Sequence, residues 1–233
     1  GSFIGITTII NDDNENIWIG TNTGELFKCN IYLKSLKKMP NIPLSSNINY
    51  SYFDDYGEWW ISINEEVNFY NDSFFKNQNI FLLHWKENLN TWSYIKAAFN
   101  LNLRSSDITN ILRYRNNIYV GTSKGFFVYN LNMNEWLDFD NDTIDLYVYD
   151  IKRKNDYIYI ATNKGMRIFS SINSVLMKSN TFSIFNNYAI TDLEFMEKYF
   201  YIVSDIGLFE YSLDNKNMIQ ISDNVFNKMS SDH

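Results

Sequence analysis

The sequence predicts an all-β fold, a five-bladed β-propeller of four-stranded antiparallel blades. Three observations predict it: a hydrophobic phrase that recurs at near-constant spacing, a glycine at a fixed distance behind it, and no helix-period stretch to compete. The phrase is Ile17-Trp18-Ile19-Gly20-Thr21, then Ile118-Tyr119-Val120-Gly121-Thr122, Ile158-Tyr159-Ile160-Ala161-Thr162 and Phe200-Tyr201-Ile202-Val203-Ser204. Trp59-Trp60-Ile61-Ser62-Ile63 is a weaker copy, and the successive spacings are 42, 59, 40 and 42 residues. One long repeat among five explains the outlier.

Each phrase carries the same flanks. Upstream lies a short run: Ile6-Thr7-Thr8-Ile9, Ile48-Asn49-Tyr50-Ser51, Ile108-Thr109-Asn110-Ile111, Val148-Tyr149-Asp150-Ile151 and Ile190-Thr191-Asp192-Leu193. Downstream come Gly24, Gly125, Gly165 and Gly207, suited to the positive φ of a tight hairpin. An aromatic run such as Phe126-Phe127-Val128-Tyr129 follows, and then a fourth short run such as Glu135-Trp136-Leu137 or Met218-Ile219-Gln220-Ile221. β-branched and aromatic residues punctuated by Asn, Asp and Gly read as strands, four to a repeat. A repeat of roughly 40–50 residues with four strands has the period of a propeller blade. A single domain over residues 3–229 is expected, with blades at about 3–44, 45–101, 102–142, 143–185 and 186–229. A closed ring is the simplest arrangement, because it gives every blade a neighbour on both faces.

Composition narrows the function. The 233 residues are 45% hydrophobic and 18% aromatic, enough for a large core. Twenty basic against 27 acidic residues leave a net charge of −7, with no basic run to engage phosphates, so no nucleic acid is expected. Apolar runs such as Ile80-Phe81-Leu82-Leu83 are far shorter than the ~18 residues of a membrane span. Cys29 alone offers neither a disulfide framework nor a multi-cysteine zinc site. Gly1-Ser2 has the look of a cloning remnant, so the chain reads as a cut or matured piece.

The repeat pattern, Ile-Thr-x-Ile, then Asn-Ile-Trp-Ile-Gly-Thr, then Gly-x-Leu-Phe, is clearest from Ile6 to Phe27. It resembles the two-component regulator propeller repeat of extracytoplasmic sensor regions in bacterial hybrid kinases. The third repeat is close, whereas the fourth and fifth carry Ala161 and Val203 in place of the phrase glycine. The resemblance implies a blade-building role for these residues. It also implies an extracytoplasmic or membrane-tethered place within a longer protein.

Two places suggest binding. The extra length of the second repeat falls between its second and third strands, about residues 64–79, and contains Phe69, Tyr70, Phe74 and Phe75 beside Glu65, Glu66 and Asp72. Aromatic loop residues are common interface anchors, and a loop folding its own aromatics inward is the plainer alternative. The third residues of the innermost strands, Thr8, Tyr50, Asn110, Asp150 and Asp192, form a polar column at the central channel. A water, an ion or a small ligand fits such a channel, and so does hydration alone. Asp150 and Asp192, on adjacent blades, are placed to raise each other's pKa.

The stretch Asp138 to Asp145 has the 1-3-5 carboxylate spacing of a calcium loop, but Thr143 and Tyr149 stand where the turn glycine and the bidentate glutamate belong. It reads as a solvated connection between blades. Asn11 to Asn14 and Asp54 to Gly57 read as strand-connecting turns, His84 as a satisfied strand residue and Cys29 as a packed one. No nucleophile elbow, phosphate loop or zinc-protease motif is present. The sequence therefore predicts a non-enzymatic binding or scaffolding module, without cofactor or metal, with a protein partner or a small channel ligand. The alternatives are a sensor domain and a carbohydrate-active enzyme using channel-mouth carboxylates.

Overall fold

The computed structural model describes residues 5–11, 15–23, 25–30, 32, 35–39, 48–63, 80–86, 91–97 and 103–221. Blade 1 is built from β1 (Ile6–Asn11), β2 (Asn16–Thr21), β3 (Leu26–Asn30) and β4 (Leu36–Lys38). Blade 2 has β5 (Ile48–Phe53), β6 (Glu58–Ile63), β7 (Ile80–Lys86) and β8 (Thr91–Lys96). Blade 3 has β9 (Ile108–Tyr114), β10 (Asn117–Thr122), β11 (Gly125–Asn130) and β12 (Glu135–Trp136). Blade 4 has β13 (Val148–Lys154), β14 (Tyr157–Thr162), β15 (Gly165–Ser170) and β16 (Val175–Met177). Blade 5 has β17 (Ile190–Met196), β18 (Tyr199–Ser204), β19 (Gly207–Ser212) and β20 (Met218–Ile221). Each blade is a four-stranded antiparallel meander in chain order, and the five make an all-β propeller.

The cores lie between blades. Along β11, Phe126 and Val128 enter the cluster shared with blade 4, alongside Val148, Ile151 and Phe169. Phe127 and Tyr129 enter the cluster shared with blade 2, alongside Trp60, Phe81 and Leu82. Successive strand side chains point to opposite faces, so one aromatic run serves two cores. A third cluster joins blade 4 to blade 5 through Ala161, Phe185, Ile190, Leu193 and Phe200. Each such side chain contributes about 1.5–3 kcal/mol when fully buried, which explains the aromatic richness of the repeats.

Two glycines of the phrase-and-turn pattern show why the residue is needed. Gly165 has a φ of +85°, and a Cβ there would lie 2.8 Å from the carbonyl oxygen of Phe185. Gly121 sits at a close approach of blades 3 and 4, since a Cβ would lie 2.6 Å from Val148 Cγ1. Gly24 lies outside the described residues.

All five inner strands carry an irregularity that the sequence did not announce. The register between first and second strand slips at the second residue of each inner strand, at Thr7, Asn49, Thr109, Tyr149 and Thr191. A bulge frees that residue from the ladder and re-aims it. Asn49 Nδ2 donates to the Ile108 carbonyl at 2.8 Å, and Thr109 Oγ1 to the Val148 carbonyl at 2.6 Å. Asn49 and Thr109 thereby lace blade 2 to blade 3 and blade 3 to blade 4. Blade 1 differs: every residue of β1 is exposed, and an edge-on contact of Trp18 with Trp59 brings it against blade 2.

Candidate functional site

Four of the five polar column residues draw together where the inner strands run side by side. Asn110 Nδ2, on β9, donates to Asp150 Oδ1 at 2.9 Å. The backbone N–H of Ile151 donates to the same oxygen at 2.8 Å. Asp150 Oδ2 accepts the Leu193 N–H from β17 at 3.1 Å, and Asp192 Oδ1 accepts that N–H as well, at 2.9 Å. Tyr50, on β5, touches the Ile111 backbone; burial and then the charge of Asp150 push its phenol above the usual range. Asp150 is thus bonded to blades 3 and 5 at once. Thr8 stands apart on exposed β1, and among the described residues it shares no hydrogen bond with the others.

The electrostatics follow from burial. Asp150 is 8% exposed, and its carboxyl is raised to about 6. Loss of water is the main cause and the Asp192 carboxyl adds to it, while Lys152 and the N–H donors pull the other way. Lys152 Nζ lies 3.9 Å from Asp150 Oδ2 and 2.9 Å from Glu194 Oε2. Among the described residues, no group of three or more His, Cys, Asp or Glu side chains is placed to hold a metal.

Phe69, Tyr70, Phe74 and Phe75, with Glu65, Glu66 and Asp72, lie outside the described residues. What the structure shows is their setting: β6 ends at Ile63 and β7 begins at Ile80, so they belong to the connection between the second and third strands of blade 2.

The stretch from Asp138 to Asp145 connects blade 3 to blade 4, and its side chains at Asn141, Asp142 and Thr143 are engaged. Both Asp142 oxygens accept from Arg167 Nε, at 3.0 and 2.9 Å. Thr143 is fully buried, with its hydroxyl accepting from the Phe126 N–H. Asp54 does the work of a turn residue, its Oδ1 accepting the N–H groups of Tyr56 and Glu58. Of the other proposed turn, Asp12, Asp13 and Asn14 lie outside the described residues.

A second polar cluster, at the opposite ends of the same strands, was not visible in the sequence. Buried Asp54 Oδ2 accepts from Trp60 Nε1 and from Arg113 Nη1, both at 2.8 Å. Arg113 reaches over from β9, also pairs with Glu58, and stacks on Tyr56. Glu58 accepts from His84 Nε2 at 2.8 Å, His84 Nδ1 faces Ser93 Oγ at 3.2 Å, and the imidazole stacks on Trp60. Burial lowers His84 to about 4 against the pull of Glu58. The ring is therefore neutral at pH 7, and the satisfied strand histidine expected from sequence is what the fold contains. Asp54 and Arg113 are 59 residues apart in the chain; a lone arginine ending an inner strand carries no sequence signal of that pairing.

No protein-family model matches the sequence, and no curated protein matches it either. The fold does have likenesses among solved structures. One is the extracellular domain of the putative hybrid two component system BT3049 from B. thetaiotaomicron, with a TM-score of 0.59, 16% identity, 96% of this chain covered and 30% of that one. Another is YCF48 bound to D1 peptide, with a TM-score of 0.59, 11% identity and coverages of 91% and 65%. A third is the computationally designed Ika8 protein, with a TM-score of 0.58, 14% identity and coverages of 91% and 60%. The chain spans less than two thirds of the length of each of these. At such identities the likeness is one of fold.

Proposed function

We propose that this chain is a non-enzymatic binding module, a rigid propeller that presents its loops and channel mouth to a protein partner. One observation carries the reading. The buried acid of the column, Asp150, is engaged by Asn110 and the Leu193 N–H in bonds that hold blades 3, 4 and 5 together. A carboxylate bonded to the blades on both sides is a structural tie, and recognition is left to the connecting loops. The loop at residues 64–79, with Phe69, Tyr70, Phe74 and Phe75, is the assigned contact, because rigid aromatics supply most of the energy of small interfaces. Tyr50, Asn110, Asp150 and Asp192 would line the channel.

Fold-level likeness supports this reading in two ways: one similar structure is described as bound to a peptide, and another as an extracellular domain of a putative two component system. An extracytoplasmic place in a longer sensor-type protein, of the two-component regulator propeller kind, follows as part of the proposal. Among the described residues no helix is long and apolar enough to cross a membrane.

The test replaces Phe69, Tyr70, Phe74 and Phe75 together with serine and compares affinity capture from the native source. The proposal expects the captured partner to be lost while the fold is unchanged by circular dichroism. Retention of the partner removes the loop from the reading.

A further inference from the structure

Asp150 stands where three blades meet, and its carboxylate is one hydrogen short. Oδ1 is filled by Asn110 from β9 and by the Ile151 N–H of its own strand. Oδ2 has the Leu193 N–H from β17, and that hydrogen is shared with Asp192 Oδ1. Two carboxylate oxygens from adjacent blades therefore converge on a single donor. Both cannot be fully charged there without repulsion, because Asp150 is shielded from water although Asp192 is exposed.

The surrounding charges do not supply the missing hydrogen. Lys152, on β13 itself, is 3.9 Å from Asp150 Oδ2, and its Nζ is bonded to Glu194 of β17 at 2.9 Å. From β17 come only the two acids Asp192 and Glu194. From β9 comes the uncharged Asn110, and from β5 the buried phenol of Tyr50.

We propose that Asp150 and Asp192 share one proton across the seam between blades 4 and 5, making it a joint that tightens in mild acid and slackens toward neutral pH. The proton completes the set of hydrogen bonds and replaces a repulsion by an attraction. The elevated Asp150 carboxyl, about 6, places the change between a neutral and a mildly acidic compartment. Its sign follows from linkage: a carboxyl raised on folding adds stability in acid, and this is lost as pH rises through about 6. The joint stands or falls independently of whether the ring binds a partner.

Asp192→Asn tests it, because the amide keeps an acceptor for the Leu193 N–H and gives Asp150 a permanent donor. Unfolding constants of the parent and the variant are measured by urea denaturation from pH 4 to 7.5. Their ratio is read, so that groups common to both proteins, such as His84, cancel. The ratio is expected to change with pH by up to about tenfold per unit below pH 6 and to level off above it. A ratio independent of pH overturns the proposal. Carboxyl-carbon and amide NMR of the parent protein decide the matter if the variant does not fold. A change in the Asp150 carboxyl signal near pH 6, mirrored at the Leu193 amide that both acids share, supports the shared proton, and a Leu193 amide that does not follow Asp150 refutes it.

Discussion

Ile111 on β9 and Ile9 on β1 occupy the same place in nearly the same phrase, Ile-Thr-x-Ile, yet one is 1% exposed and the other 60%. Ile151 and Leu193 side with Ile111, at 3% and 0%. All four form the same kind of inner strand, with the same bulge and the same antiparallel partner. The difference lies in what stands beside them. Val148 and Ile151 of blade 4 press on Gly121 of blade 3, and the Ile190–Leu193 strand presses on Ala161. The comparison teaches that the repeat phrase determines a strand, while the neighbouring blade determines what that strand contributes to stability.

The largest effect is expected where a charge is buried at a tight seam. Arg113→Ala strips Asp54 of its cation, and the loss should be about 3–5 kcal/mol in urea denaturation. Lys38→Ala, which breaks the exposed pair with Glu25 on blade 1, should leave the midpoint unchanged. Equal losses for the two would erase the contrast between the regions. Next comes the direct swap: Ile111→Ala should cost about 3 to 4 kcal/mol by cavity formation, and Ile9→Ala within about 0.5. A large loss at Ile9 would show that blade 1 is as firmly packed as blade 3.

Acid sharpens the picture further. His84 is lowered on folding, so its contribution is present above about 6.5 and is lost as pH falls toward 4. That contribution amounts to at most about 3 kcal/mol, and His84→Gln should flatten the decline in a pH series of denaturation midpoints. The smallest expected effects concern the phrase glycine and its replacements. Gly121→Ala forces a Cβ to within 2.6 Å of Val148 and should cost about 1–2 kcal/mol in thermal unfolding. Val203→Ala, at the same position on blade 5 where the side chain is 39% exposed, should cost under about 0.5.

Much of this was legible. The recurring phrases located all five blades and the order of strands within them, because a period of about 40 residues and an alternation of two leave little freedom. The departures from the phrase also acquire a reason. Gly121 stands where the next blade leaves no room for a Cβ, Ala161 where a methyl is buried, and Val203 where the side chain is exposed. For the site, aligning the inner strands could suggest that Tyr50, Asn110, Asp150 and Asp192 lie near one another, and the bond from Asn110 to Asp150 fits that. The bond from Asp150 to the Leu193 backbone could not be read that way, nor could the bulges, since each depends on where a main-chain N–H or carbonyl of another blade happens to lie.

By itself the sequence determined which segments become strands, how they pair within a blade and how often the blade recurs. These properties rest on side-chain alternation and turn chemistry, which act over a few residues. The tertiary structure alone decided that Asp54 is neutralised by Arg113, that Asp150 ties three blades, and that Ile9 and Ile111 differ. Each of these requires chain segments about one repeat apart to meet, and the energy of a buried group is set by whatever it meets.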